Sequence, residues 1–272
     1  GPDLGPLRHS AADLRFEGVE RHDGPDPQPC LRRWFETFFS QEPALRTGAT
    51  RTYPADPAEW SGDDHRAFAG LVQGLERSRI LCLLRDSGRL DAVEGINTLF
   101  HAWMEPLTGR GLEHQPTFYL GEPVLMTAND YDRNLFNGDI GVILRVSTPS
   151  GEARQAAVFP AAGSPRIFAV EALKSQLQLC HAMTVHKAQG SEFERVLVVL
   201  PPVDHPALTR EALYTALTRA RRSATLLGST QALIQAIQRK GQRASGLRER
   251  LRTPIIPLES PSEPAEPQRL RP

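Results

Sequence analysis

The chain has 272 residues, of which 40% are hydrophobic and 24% charged, and its 32 basic side chains balance 32 acidic ones. That length leaves room for a sizeable core and one or two domains. Zero formal charge argues against non-specific coating of nucleic acid, and no apolar run approaches the roughly 20 residues that span a bilayer, so no membrane partner is expected. Cys30, Cys82 and Cys180 are odd in number and far apart, which fits neither a disulfide framework nor a zinc pattern and leads us to expect reduced thiols in a cytoplasmic protein. The chain opens Gly1-Pro2 rather than with a secretory leader, and a fragment of a longer protein is expected.

Residues 1–62 are rich in Pro, Gly and charge, and are expected to be a linker or the irregular remnant of a neighbouring domain, with one short helix near the aromatic stretch Leu31 to Phe39. Over 63–79, Phe68, Leu71, Val72 and Leu75 fall at helical spacing between acidic and basic ends that complement the helix dipole. Ile80 to Leu84 reads as a strand buried on both faces, and a helix follows over about 91–104. This strand–loop–helix unit predicts a parallel α/β sheet. Between about 105 and 177, short strand-like runs at 117–120, 123–127, 140–146, 156–159 and 167–170 predict a small inserted β-barrel. The acidic loop at Asp130 is not a calcium loop, because Leu135 and Gly141 stand where Gly and Glu are needed. The parallel pattern resumes with strands at 182–185 and 196–200, a helix over 210–222, a strand at 224–227 and a last helix capped by Ser229 or Thr230. The Pro- and Glu-rich end, 248–272, predicts a disordered tail.

Charge is polarised within this neutral chain. From Arg210 to Arg252 arginines dominate, opposed by Glu211 and Glu249 alone. On the 210–222 helix, Leu213, Ala216, Leu217 and Ala220 form the buried stripe and Arg219 lies at its flank. Two readings stay open for Arg219. It is either a guanidinium that neutralises charge on a transferred phosphoryl group or part of a solvated basic face. Upstream, Thr184 and His186 end a strand at its carboxyl side, where α/β ligands sit, with plain structural roles as the alternative for His186. Gly190 and Ser191 can expose backbone N–H groups, and Glu192 offers a carboxylate to a ribose. No Gly precedes Lys174, Lys187 or Lys240, so the phosphate cradle G-x-x-x-x-G-K-[ST] is absent from these residues. Asp204 imitates a magnesium-binding acid, but Pro201-Pro202 favours an ordinary loop.

The string Met183-Thr-Val-His-Lys-Ala-Gln-Gly-Ser-Glu-Phe193 resembles helicase motif V, and Tyr214-Thr-Ala-Leu-Thr-Arg-Ala-Arg221 resembles motif VI of superfamily 1. Leu83-Leu-Arg85 with Gly95-Ile-Asn97 is similar to motif IV and its extension. The blocks Gly121 to Met126, Asn129 to Tyr131 and Leu135 to Gly141 are similar to the inserted barrel of the RecD family, superfamily 1B helicases that work in exodeoxyribonuclease V. The resemblance covers roughly 79–247.

It implies an α/β fold: a RecA-like parallel sheet, the second motor domain, over 63–105 and 178–247, with an SH3-like β-barrel inserted over 106–177. It implies that Arg219 and Arg85 face the ATP γ-phosphate, and that Gln189, Gly190 and Glu192 line the nucleotide. Thr184, His186 and Asn97, with Asn134, Phe136 and Asn137 of the barrel, would hold single-stranded DNA. ATP and Mg would be bound mainly by a first motor domain that these residues do not include, so this chain alone is not expected to hydrolyse ATP. RecB- and RecC-like subunits are the implied partners, with an unidentified inhibitor or partner protein as a further one, and 5′–3′ unwinding in double-strand break repair and recombination is the implied role. The alternatives are a non-catalytic DNA- or partner-binding module and another superfamily 1B helicase.

Overall fold

A computed structural model describes residues 5–86, 88–108, 117–147 and 150–241. The expected tail, 248–272, lies outside them. Two sheets organise the chain. The first is built from β1 (Leu7–Arg8), β2 (Gly18–His22), β4 (Ser78–Cys82), β10 (Ala182–Thr184), β11 (Phe193–Val199) and β12 (Ala220–Leu227), in the order β1-β2-β12-β11-β4-β10, and every pairing is parallel. Strands covered on both faces need apolar residues at every position. In β11, Val196 and Val198 face one core with Leu81 and Leu226, whereas Leu197 and Val199 face the other with Ile80 and Cys82. Helices α6 (Arg210–Leu217) and α7 (Thr230–Gln238) cover the first face. Helices α1 (Gln28–Phe35) and α4 (Val93–Thr108) cover the second.

The second sheet is antiparallel, in the order β8 (Arg166–Ala169), β7 (Ala153–Phe159), β6 (Ile140–Ser147), β5 (Pro123–Met126) and β9 (Leu177–Leu179), and β3 (Thr52–Pro54) runs parallel to the far half of β6. Among the described residues its ladders form an open path from β8 to β9, and the expected strand at 117–120 is a turn. Gly141 admits the close packing of β6 on β7, since a Cβ there would lie 2.9 Å from the Phe159 ring and the Val158 carbonyl.

Two expectations change. Residues 5–62, of the stretch 1–62 expected to be a linker, are not irregular: β1 and β2 extend the parallel sheet, and Leu14, Phe16, Cys30, Leu31, Trp34 and Phe35 are buried in its core. Helix α3 (Gly62–Arg77), with a reciprocal Ser61–Asp64 capping box, belongs by packing to the antiparallel sheet. Its Phe68, Leu71 and Leu75 meet Val142, Leu144 and Val158, together with Tyr53 and Trp60.

Candidate functional site

The helix carrying the arginine-rich string is shorter than its periodicity predicts. Thr209 caps α6, its hydroxyl accepting from the Ala212 N–H at 3.3 Å, and the helix stops at Leu217. Ala220 already pairs with Phe193 of β11, so Arg221 and Arg222 belong to a strand and Ala220 leaves the helical stripe. Ladder bonds to β11 override the intrinsic helix preference of Ala and Arg here, because propensity is a weak prior beside tertiary pairing. Arg219 therefore sits in a two-residue turn, its carbonyl accepting from the Phe193 N–H at 2.8 Å.

Its guanidinium is fixed by three neutral acceptors. Nε donates to the Thr215 carbonyl at 3.2 Å, one terminal nitrogen to the Ser191 carbonyl at 3.2 Å, and the other to the Thr218 hydroxyl at 3.3 Å. Half-buried and oriented in this way, the cation keeps its charge and further N–H groups for an anion. Beside it, the Glu192 carboxylate accepts from Arg221 Nε at 2.8 Å in an exposed pair, of the kind worth about 0–1 kcal/mol and readily exchanged. Gln189 and Gly190 lead into this corner and are exposed. Gly190 has a φ of +87°, the left-handed region that suits glycine.

Arg85 does not join this group. The strand β11 runs from Phe193, level with Ala220, to Val199, level with Cys82, a rise of about 20 Å at ~3.3 Å per residue. Arg219 precedes β12 at the amino end of the sheet, and Arg85 follows β4 at the carboxyl end, where its Nε is 3.3 Å from Glu94. The expectation that the two arginines face one γ-phosphate is corrected by this register. Arg85 belongs instead to the loop that starts α4: its carbonyl accepts from the Glu94 N–H at 3.0 Å, and Gly95 lets that loop lie on the helix, because a Cβ would meet the Arg89 carbonyl.

Thr184 and His186 share the carboxyl end with Arg85. The Thr184 hydroxyl accepts from the Lys187 N–H, and its carbonyl from the Ala188 N–H, which folds 184–191 into successive turns. His186 is exposed. Lys187 has its pKa lowered, by burial first and then by the nearby Arg85 charge, while Cys180 opposes the shift.

Asn97 is not available to a ligand. It is 3% exposed and fully bonded: Nδ2 donates to the carbonyls of Leu179 and Ala182, and Oδ1 accepts from the Ala182 N–H at 2.8 Å. It pins α4 to the outer strand β10, and its expected DNA contact is withdrawn. Asp204 is likewise committed to Gln235 of α7. Among the described residues no group of three or more His, Cys, Asp and Glu side chains could hold a metal.

Asn134, Phe136 and Asn137 lie together in a surface loop of the antiparallel sheet. Asn134 has a φ of +54° and its carbonyl accepts from Arg166, while the Asn137 N–H donates to the Asn129 side chain at 2.8 Å. The ring of Phe136 meets that of Tyr131 edge-on at 6.2 Å, and Tyr131 is 76% exposed. Tyr131 was not singled out by the sequence. The signal was its place between Asn129 and Phe136 in a polar turn, an aromatic with no apolar periodicity to bury it.

The family described as the UvrD-like helicase C-terminal domain matches residues 179–227. The RecBCD enzyme subunit RecD of Mycobacterium tuberculosis (strain CDC 1551 / Oshkosh) is 41% identical over 182 residues, covering 66% of this chain and 29% of that protein. The ATP-dependent RecD2 DNA helicase of Deinococcus radiodurans is 38% identical over 133 residues, covering 48% of this chain and 18% of its own length. This chain thus spans under a third of the curated relatives it matches. A solved Pif1 helicase from Bacteroides, in complex with ADP-AlF3 and ssDNA, aligns with 78% of this chain and 54% of its own at 16% identity and a TM-score of 0.36, which is too loose to carry an argument.

Proposed function

The chain belongs to the RecD family, as a C-terminal region, and from that premise we propose that it is one half of an ATP-driven DNA motor whose other half lies on further polypeptide. Arg219 is the cation offered to the γ-phosphate of ATP bound on the first motor domain. Three neutral acceptors orient it without cancelling its charge, and this is the observation that carries the reading. A guanidinium fixed before the reaction needs no reorganisation as charge grows on the transferred group. Glu192, released from its exposed pair with Arg221, takes the nucleotide ribose, and Gln189 and Gly190 shape that edge.

Thr184 and His186, at the carboxyl end of the parallel sheet, hold the phosphates of single-stranded DNA. Asn134, Phe136 and Asn137 guide the strand across the inserted sheet, an SH3-like barrel in this reading, and Tyr131 joins them as a stacking surface. The segment 185–192 links the nucleic-acid end to the nucleotide end and couples them. ATP supplies the phosphoryl group and Mg is held by the first motor domain. The partners are RecB- and RecC-like subunits, and the work is 5′–3′ unwinding in double-strand break repair.

Arg219→Ala in the longer protein that contains both motor domains is expected to lower ATP turnover by about 10³-fold or more, with single-stranded DNA affinity nearly intact. Steady-state ATPase assays and fluorescence anisotropy measure the two. Turnover within a few-fold of the parent protein sinks the assignment.

A further inference from the structure

Where the two sheets join, polar side chains are buried in an aromatic surrounding. Glu122, fully buried just before β5, accepts from His101 of α4 at 2.8 Å, from the Tyr119 N–H at 2.7 Å and from His181 Nε2 at 3.4 Å. His181 sits between β9 and β10 with Phe39 and Phe100 against its ring. Arg79, 2% exposed at the start of β4, donates to the Cys180 carbonyl at 2.7 Å and the Leu75 carbonyl at 3.1 Å. One nitrogen on each of these last two residues has no hydrogen-bond partner in the protein: His181 Nδ1 and Arg79 Nε.

Both residues line the same small cavity, of about 20 Å³, and Ser78 lines it as well. Roughly 10–15 Å³ suffices for one water molecule, provided two to four polar groups receive it. The proton count fits. Burial raises the Glu122 pKa, but the bonds from His101 and His181 outweigh it and keep the carboxylate ionised, so it can only accept. His181 Nε2 must therefore carry the ring proton. Burial also disfavours the imidazolium, which leaves Nδ1 with a bare lone pair. Arg79, which lines the same cavity, has in its Nε–H a donor without an acceptor.

We propose that this cavity is a specific internal water site, in which one water accepts from Arg79 Nε–H and donates to His181 Nδ1. The water closes a continuous polar chain from His101 through Glu122, His181 and Arg79 to the Cys180 carbonyl, and so ties α4, the entry to the inserted sheet, the β9–β10 junction and β4 into one joint. The same Arg79 guanidinium stands 5.4 Å from the Phe193 ring, whose backbone N–H holds the Arg219 carbonyl. The site thus supports the turn that presents Arg219, although its existence does not depend on the function proposed for that residue.

Long-range proton–nitrogen correlation spectra of histidine-labelled protein test the proposal without a mutation. The expected result is a His181 ring protonated at Nε2 and unprotonated at Nδ1 near neutral pH. A proton on Nδ1 overturns it. A crystal structure fine enough to show other internal waters is expected to place one within about 3.2 Å of both orphan nitrogens. A site with no density there overturns it too. In Arg79→Met, which keeps the stem and removes the donor, that water is expected to be lost; its retention in place would show that Arg79 does not hold it.

Discussion

Asn97 shows how one side chain can resemble a ligand contact and be a rivet. Val93, Ile96, Asn97 and Phe100 fall on a single stripe of α4, the spacing of an inward-facing residue, and the expected DNA role came only from the resemblance of Gly95-Ile-Asn97 to a helicase motif. Asn97→Ala leaves the Ala182 N–H buried without a partner, at a cost of about 1–3 kcal/mol. Urea denaturation is expected to record that loss while single-stranded DNA affinity holds. A drop in affinity with unchanged stability would restore the contact. His181 and Glu122 set a pH dependence. Burial chiefly pulls His181 below its ordinary 6.5, with Glu122 opposing and with Arg79 and His101 adding to the fall. Glu122 ends below 4.5 through its histidine bonds, against the upward pull of burial. In both cases the unfolded chain binds the proton more tightly, so the stabilisation is complete above about pH 6.5 and is lost on acidification, first through His181 and then, below about pH 4.5, through Glu122. Melting temperature is expected to fall from about pH 6.5 downward, and His181→Phe to flatten the first part of that fall. An unchanged slope in the variant removes His181 from the account.

Elements with a strong local pattern were legible, and those decided by long-range contacts were not. The runs Ile80 to Leu84 and Val196 to Leu200 announced buried parallel strands because both faces of a sheet must be covered, and α3 announced itself by its stripe and charged ends. The helix after Thr209 was over-extended because Ala220 continues its apolar spacing, and only the pairing of Ala220 with Phe193 fixes where the strand begins. The same limit hid the separation of Arg85 from Arg219, since spacing along the chain carries no strand register. In the loop at 129–137 the two exposed rings give the element its prediction. Tyr131→Ala and Phe136→Ala are each expected to weaken single-stranded DNA binding by about 1–3 kcal/mol, read as a rise in Kd at fixed salt, with melting temperature unchanged. Unaltered affinity in both variants would remove this loop from the DNA path.

At the scale of the molecule, residues 5–62 were the least legible part and are structurally central. Leu14, Phe16, Leu31, Trp34 and Phe35 are scattered among Pro, Gly and Arg with little periodicity of their own, and they acquire order by packing on a sheet built mostly from residues after 78. The sequence carries no G-x-x-x-x-G-K-[ST] motif, and under the proposed two-domain motor the chain alone is expected to show no ATP turnover above background, and turnover to appear when the first motor domain is supplied. Appreciable hydrolysis by the chain alone would reveal a phosphate site unlike the one proposed. Among the described residues the parallel sheet also ends abruptly at both sides. Its outer strands are β1, two residues long, and β10, three residues long and locked by Asn97. Stubs of that length offer too few free backbone donors and acceptors for a second copy to add itself as another strand. Self-association through the sheet margins, and the fibrous aggregation that follows from it, is thereby discouraged by the geometry of the margins themselves.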